Sequence, residues 1–193
     1  MYPSLLCGMS AGRMTAKELV SLVATAGVDT FVCLQESYNE YGVDDYRQTL
    51  RQRLMGPSFG GKRQKAVRFL HCPVPDFGVL HDASLLALVG ELQKAMAGGH
   101  VLYVHCMGGH GRTGTIVANL ISAVDGVDFP TAMRKLQRRH RGRRGCRGGR
   151  CSLNSGELED ESQTEQAIFM QGPMRRQHKI ATARAPVAGA VNK

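Results

Sequence analysis

The run His105-Cys106-Met107-Gly108-Gly109-His110-Gly111-Arg112-Thr113-Gly114 combines a thiol, closely spaced glycines and an arginine six residues beyond the thiol. It follows a segment dense in β-formers, His100–His105, and leads into a helical segment, Gly111–Val124. A strand-to-helix loop aims successive backbone N–H groups at one point and adds the field of the helix N-terminus. Gly108, Gly109 and Gly111 let that backbone wrap a tetrahedral anion without side-chain obstruction. Arg112 can return a bidentate guanidinium to the same oxyanion. The loop reads as a phosphate cradle with Cys106 at its floor. Helix N-termini and nearby cations favour the thiolate, so Cys106 is expected to be a nucleophile poised for in-line attack on phosphorus. Departure of an alkoxide or phenoxide needs a proton donor, and Asp76, in the Pro73–Gly78 segment, is the candidate. Thr113 offers a hydroxyl beside the sulfur for the step in which thiolate leaves.

These residues need a scaffold, and the chain supplies an alternation of short β-type and helical runs. Ser4–Met9 reads as an edge strand. Thr15-Ala-Lys-Glu18 is a capping box that opens a helix with apolar Leu19, Val20, Leu22, Val23 and Ala26, with Gly27 expected at C′. Val28–Gln35 reads as a buried strand, Glu36–Gly42 as a turn and Asp44–Met55 as a second helix. Gly56–Lys65 is a loop by composition. Val67–Pro73 follows as a strand, then a helix capped by Asp82 or Ser84 and running to about Ala97. After the strand His100–His105 come the helix Gly111–Val124 and another started by Phe129-Pro130-Thr131. This order predicts an α/β fold: a central, mostly parallel sheet of four to five strands with helices on both faces. Residues 1–140 are expected to form the catalytic domain and 141–170 an Arg/Gly-rich loop and closing helix of the same domain, with 171–193 a disordered tail.

The chain has 193 residues, 42% of them hydrophobic and 21% charged, which suits one soluble globular domain. No stretch approaches the roughly 20 apolar residues that span a bilayer, and no basic segment precedes the apolar run at the N-terminus. A cytoplasmic, or alternatively nuclear, location is expected, with no integral membrane association. The net charge of +9 is unevenly placed: residues 1–130 hold 11 basic and 11 acidic residues, whereas 131–150 hold nine basic and none acidic. The 134–150 tract therefore reads as a patch for an acidic partner or nucleic acid, or else as a solvated helix end. Six cysteines without a secretory signal read as thiols. Cys7, Cys33 and Cys72 suit core packing, and Cys72 is expected one strand from Cys106, near enough to trap it as a reversible disulfide. His140, Cys146 and Cys151 match no standard zinc spacing, so no metal site is assigned.

His-Cys-x5-Arg-Thr-Gly with an Asp thirty residues upstream resembles the cysteine-dependent protein tyrosine phosphatase superfamily, and the short domain resembles its dual-specificity branch. The resemblance covers residues 4–140 and extends toward 170. It implies a phosphocysteine intermediate on Cys106, no cofactor, and phosphoryl binding by Arg112 with the backbone of Met107, Gly108, Gly109, His110 and Gly111. It implies Asp76 as general acid and then base, His105 as a residue that tunes the thiolate, and Thr113 as an aid to its departure. Ser162-Gln163-Thr164-Glu165-Gln166 is similar to the glutamine loop that positions the hydrolytic water, with Gln163 or Gln166 in that role. The acid loop has Val-Pro-Asp where the family often has Trp-Pro-Asp, and a histidine at 110 is similar to the extra cation of phosphoinositide phosphatases. The implied substrate is a phosphoprotein carrying phosphotyrosine, with phosphoserine or phosphothreonine as further substrates. Phosphoinositide or RNA 5′-phosphate hydrolysis is the nearest rival. A phosphate-binding module without turnover is disfavoured by the joint presence of Cys106, Arg112 and Asp76, and a rhodanese- or arsenate-reductase-type enzyme, which requires no such aspartate, would be argued against by loss of activity in Asp76→Ala.

Overall fold

The structure, a computed structural model, describes residues 4–55, 66–141, 161–170, 172–174 and 176. Residues 56–65, 142–160 and 177–193 lie outside the described residues, and with them Cys146 and Cys151, as does the side chain of His140. The elements run β1 (Leu5–Gly8), α1 (Ala16–Ala24), β2 (Thr30–Cys33), α2 (Tyr46–Met55), β3 (Arg68–His71), α3 (Asp82–Ala97), β4 (Leu102–His105), α4 (Gly111–Asp125), α5 (Phe129–Arg141) and α6 (Glu161–Phe169). Short 3-10 turns occupy Ala11–Arg13 and Glu40–Gly42. The four described strands pair in the order β1-β4-β2-β3, all parallel. The expected architecture holds, with β1 on an edge.

Strand alternation sends alternate side chains to two cores. Val32, Leu34, Leu102 and Val104 face a cluster with α3, α4 and α5, whereas Phe31, Cys33 and Tyr103 face a cluster with Leu19 of α1 and Tyr46 and Leu50 of α2. Both faces are thus covered, and β2 and β4 are buried along their whole length. Helix α4 is buried from Gly111 to Ala123, packed on α3, α5, α6 and β4. Two of its interior polar side chains are satisfied within the helix: Thr115 Oγ1 donates to Gly111 O at 3.0 Å and Asn119 Nδ2 to Thr115 O at 2.9 Å.

The Thr15 capping box forms in both directions, Glu18 N–H to Thr15 Oγ1 and Thr15 N–H to Glu18 Oε2. Three expectations need correction. Gly27, at φ +72°, stands two residues past the cap Thr25, one position beyond the C′ site. Helix α3 is capped by His81, whose Nδ1 accepts from Ala83 N–H, because the Asp82 carboxylate is taken by Gln166 Nε2 at 2.9 Å. Cys72 lies two strands from Cys106, since β2 stands between β3 and β4. Beyond α6, Met174 N–H donates to Met170 O at 2.9 Å, and both methionines are buried in the core.

Candidate active site

The loop from β4 to α4 is held from below and from the side. His105 ends β4 fully buried, its Nε2 2.8 Å from Tyr46 Oη and its Nδ1 3.3 Å from Cys106 O. A carbonyl only accepts, so the proton sits on Nδ1 and the Tyr46 hydroxyl donates to Nε2. Burial pushes the His105 pKa down to about 4, with His71 acting in the same direction, so the ring is neutral at physiological pH. Burial likewise pushes the Tyr46 phenol far above its ordinary range, which keeps it a donor. The side brace comes from the end of β1: Ser10 N–H donates to Met107 O at 2.9 Å, and Tyr103 Oη donates to Met9 O at 2.9 Å.

Gly109 shows why the loop is rich in glycine. It sits at φ +80°, and a Cβ there would lie 2.3 Å from Gly8 O and 2.7 Å from Met9 N. No other residue fits both the left-handed backbone and the close approach. Its N–H meets the Cys106 sulfur at 3.3 Å, so the turn directs a backbone donor onto the thiol. Cys106 is 3% exposed. His110 is the N-cap residue of α4, without a side-chain capping bond, and Gly111, Arg112 and Thr113 form the buried first turn. Thr113 Oγ1 is buried without a hydrogen-bond partner.

Arg112 joins this loop to the loops after β2 and β3. Its Nη1 donates to Glu40 Oε1 at 3.0 Å, Glu40 Oε2 at 3.2 Å and Val74 O at 3.1 Å, and its Nη2 lies 2.9 Å from Asp76 Oδ1. Burial works against the cation, but the Glu40 bond and the neighbouring Cys106 and Asp76 carry its pKa above the ordinary arginine value. Asp76 also accepts from Tyr41 Oη at 2.6 Å and from Phe77 N–H at 3.2 Å, while its own N–H donates to Glu36 Oε1 at 3.3 Å.

The structure thus brings together Cys106, Arg112, Asp76, His105 and Thr113 with the 107–111 backbone. Gln163 and Gln166 of α6 bind the stretch that follows Asp76. Gln163 Nε2 donates to Gly78 O at 3.2 Å, and Gln166 Nε2 donates to Leu80 O and to Asp82. The Oε1 atoms of both glutamines are buried without a partner. Sequence reasoning missed Glu40, Tyr41, Tyr46 and Ser10. The available signal was position: in a parallel sheet the segments after the carboxyl ends of the strands converge on one crevice, and Glu40 and Tyr41 follow β2 directly.

A parallel sheet between helical layers, with a cysteine–arginine loop between strand and helix and an aspartate across from it, defines the fold class of cysteine-based phosphatases. A protein-family model described as "PTP-SAK: Swiss Army Knife protein, DSP-PTPase phosphatase domain" matches residues 1–168. The chain belongs to this family, within the dual-specificity branch of the cysteine-dependent protein tyrosine phosphatase superfamily. It is similar to the crystal structure of Tk-PTP in the active form, with TM-score 0.62 and 22% identity, covering 89% of this chain and 99% of that one. It is also similar to PTPMT1 solved in complex with PI(5)P, with TM-score 0.59 and 20% identity, covering 95% of each chain. The uncharacterised protein MJECL20 of Methanocaldococcus jannaschii is 33% identical over 61 residues, which is 32% of this chain. The chain spans 41% of that relative's length.

Proposed function

We propose that this phosphatase domain hydrolyses phosphomonoesters on protein tyrosine, and also on serine or threonine, through a phosphocysteine intermediate on Cys106. The observation that carries the reading is the convergence of the Cys106 sulfur, the Gly109 N–H, the Arg112 guanidinium and the Asp76 carboxylate on one loop. The phosphoryl oxygens are held by Arg112 and the N–H groups of 107–112. Thiolate attack forms the S–P bond as the bond from phosphorus to the leaving oxygen breaks, and Asp76 gives that oxygen its proton. Water then attacks phosphorus, Asp76 takes its proton, and the S–P bond breaks to return thiolate and inorganic phosphate. The unpartnered Thr113 hydroxyl is available to hydrogen-bond the departing sulfur. His105 acts from beneath, by fixing the Cys106 carbonyl.

The catalytic unit is residues 1–140 closed by the segment to 170, with a phosphoprotein as partner and the basic 134–150 tract as a contact for its acidic surroundings. The cytoplasm or nucleus is the proposed location. Among the described residues no helix is long and apolar enough to cross a membrane. His110, in the loop itself, is the observation that favours the rival phosphoinositide substrate.

The test is hydrolysis of an aryl phosphate without added metal, followed by a tyrosine phosphopeptide and phosphoinositide vesicles. Cys106→Ser should abolish turnover, and Asp76→Asn should lower kcat about 10²- to 10⁴-fold. A reduced, folded wild type that turns over none of the three substrates would sink the enzymatic reading. Turnover confined to the vesicles would replace the protein substrate with the lipid.

A further inference from the structure

We infer that Glu40 and Tyr41, consecutive residues of the 3-10 turn after β2, are the positioning residues of this site, Glu40 setting the Arg112 guanidinium and Tyr41 holding the Asp76 carboxyl. The inference rests on the phosphocysteine reading above.

The Nη1 group of Arg112 has two hydrogens and faces three acceptors, both oxygens of Glu40 and Val74 O. That end of the guanidinium is filled, so phosphoryl oxygens must be met by Nη2 and Nε. The Glu40 side chain is only 9% exposed, so the pair is shielded from water and keeps its geometry. Nη2 is the nitrogen now 2.9 Å from Asp76 Oδ1. A phosphoryl group that enters the cradle takes Nη2 from Asp76, and the acid loses its contact with the cation.

Tyr41 keeps Asp76 in place after that exchange. Its hydroxyl donates to Oδ2, the oxygen that Arg112 does not touch. With Oδ2 accepting from Tyr41, and one lone pair of Oδ1 accepting from Phe77 N–H, the transferable proton of the carboxylic acid takes the side of Oδ1 that Arg112 has vacated. The phenol remains a donor, because the bond to Asp76 raises its pKa. Tyr41 also occupies the left-handed region, at φ 55° and ψ 27°, and is 70% exposed. Glycine would adopt that backbone without strain, and no burial requires an aromatic ring there. The hydroxyl on Asp76 is what the tyrosine contributes. The same turn aims the adjacent Glu40 at Arg112, so one piece of backbone sets both groups.

The experiment compares wild type, Tyr41→Phe, Glu40→Gln and Asp76→Asn on a series of aryl phosphates of increasing leaving-group pKa, with inorganic phosphate as competitive inhibitor. Tyr41→Phe should lower kcat/KM about tenfold for phenyl phosphate and less than about threefold for the most activated ester, steepening the leaving-group dependence as Asp76→Asn does. Glu40→Gln should raise the inhibition constant of inorganic phosphate about tenfold without changing that dependence. Tyr41→Phe removes one exposed hydroxyl, so its fold is preserved and its result stands even if Glu40→Gln fails to fold. A uniform loss or no loss across the esters for Tyr41→Phe overturns its role, and an unchanged phosphate constant for Glu40→Gln overturns the other. An active wild type that responds to Asp76→Asn but not to Tyr41→Phe sinks this inference alone. A wild type inactive on every ester sinks the phosphatase reading instead.

Discussion

His105 ties the cradle to acid stability. Buried and neutral in the folded chain, it binds its proton only near pH 4, whereas in the unfolded chain it does so near the ordinary 6.5. Below about pH 6.5 the unfolded state therefore binds a proton that the folded state refuses, and stability falls as pH drops toward 4. The loss is on the order of 3 kcal/mol in total, at a slope of at most about 1.4 kcal/mol per pH unit. Urea midpoints at pH 7.5 and 5.0 should show it, and His105→Gln should flatten the difference. An equal pH dependence in both proteins would count against His105 as the source. Cys106, Arg112 and the glycines were readable in the sequence because one strand-loop-helix unit contains them all. Glu40 and Tyr41 were not, because their partners lie 72 and 35 residues away. Only the sheet order brings those segments together.

At the scale of elements, α6 serves the loop that carries Asp76. The Gln163 and Gln166 amides satisfy the carbonyls of Gly78 and Leu80, so the helix fixes the stretch just beyond Asp76. Replacing both with alanine would leave two carbonyls without their donors, at a cost of about 1–3 kcal/mol each where they stay buried. Steady-state kinetics on the doubly substituted chain should show kcat reduced severalfold, with the phosphate inhibition constant unchanged, because both amides bond to the 78–82 stretch and not to the 106–112 loop. A weakened phosphate constant would show that α6 supports the cradle as well. The strand and helix sequence was legible because hydrophobic period and capping are local. The His81 cap was not, because Asp82, the better capping residue by type, is drawn off by Gln166 across the fold. A local preference loses there to a tertiary bond.

Across the whole molecule, Arg112 is a structural as well as a chemical group. It joins the start of α4 to the loops after β2 and β3 through Glu40, Val74 and Asp76. Arg112→Ala should abolish phosphate binding and also destabilise the chain by about 3–5 kcal/mol, since Glu40 is left buried without its cation. Cys106→Ser, which leaves Arg112 paired with Glu40 and Asp76, should unfold close to the wild-type denaturant midpoint. Equal midpoints for all three proteins would mean that the Arg112 contacts contribute nothing to stability. The sheet order carries one more consequence, for how the chain reaches this state. β1 and β2 come first in the sequence yet never pair with each other; β4, some seventy residues later, slides between them. Until residues 102–105 have been synthesised, both early strands have an open edge where β4 belongs. Closing so distant a pairing is slow, since loop entropy is lost before the contacts form. The strand that delivers the Cys106 thiol is therefore also the strand whose arrival joins the two halves of the sheet, and a nascent chain cannot complete the fold without completing the cradle's foundation.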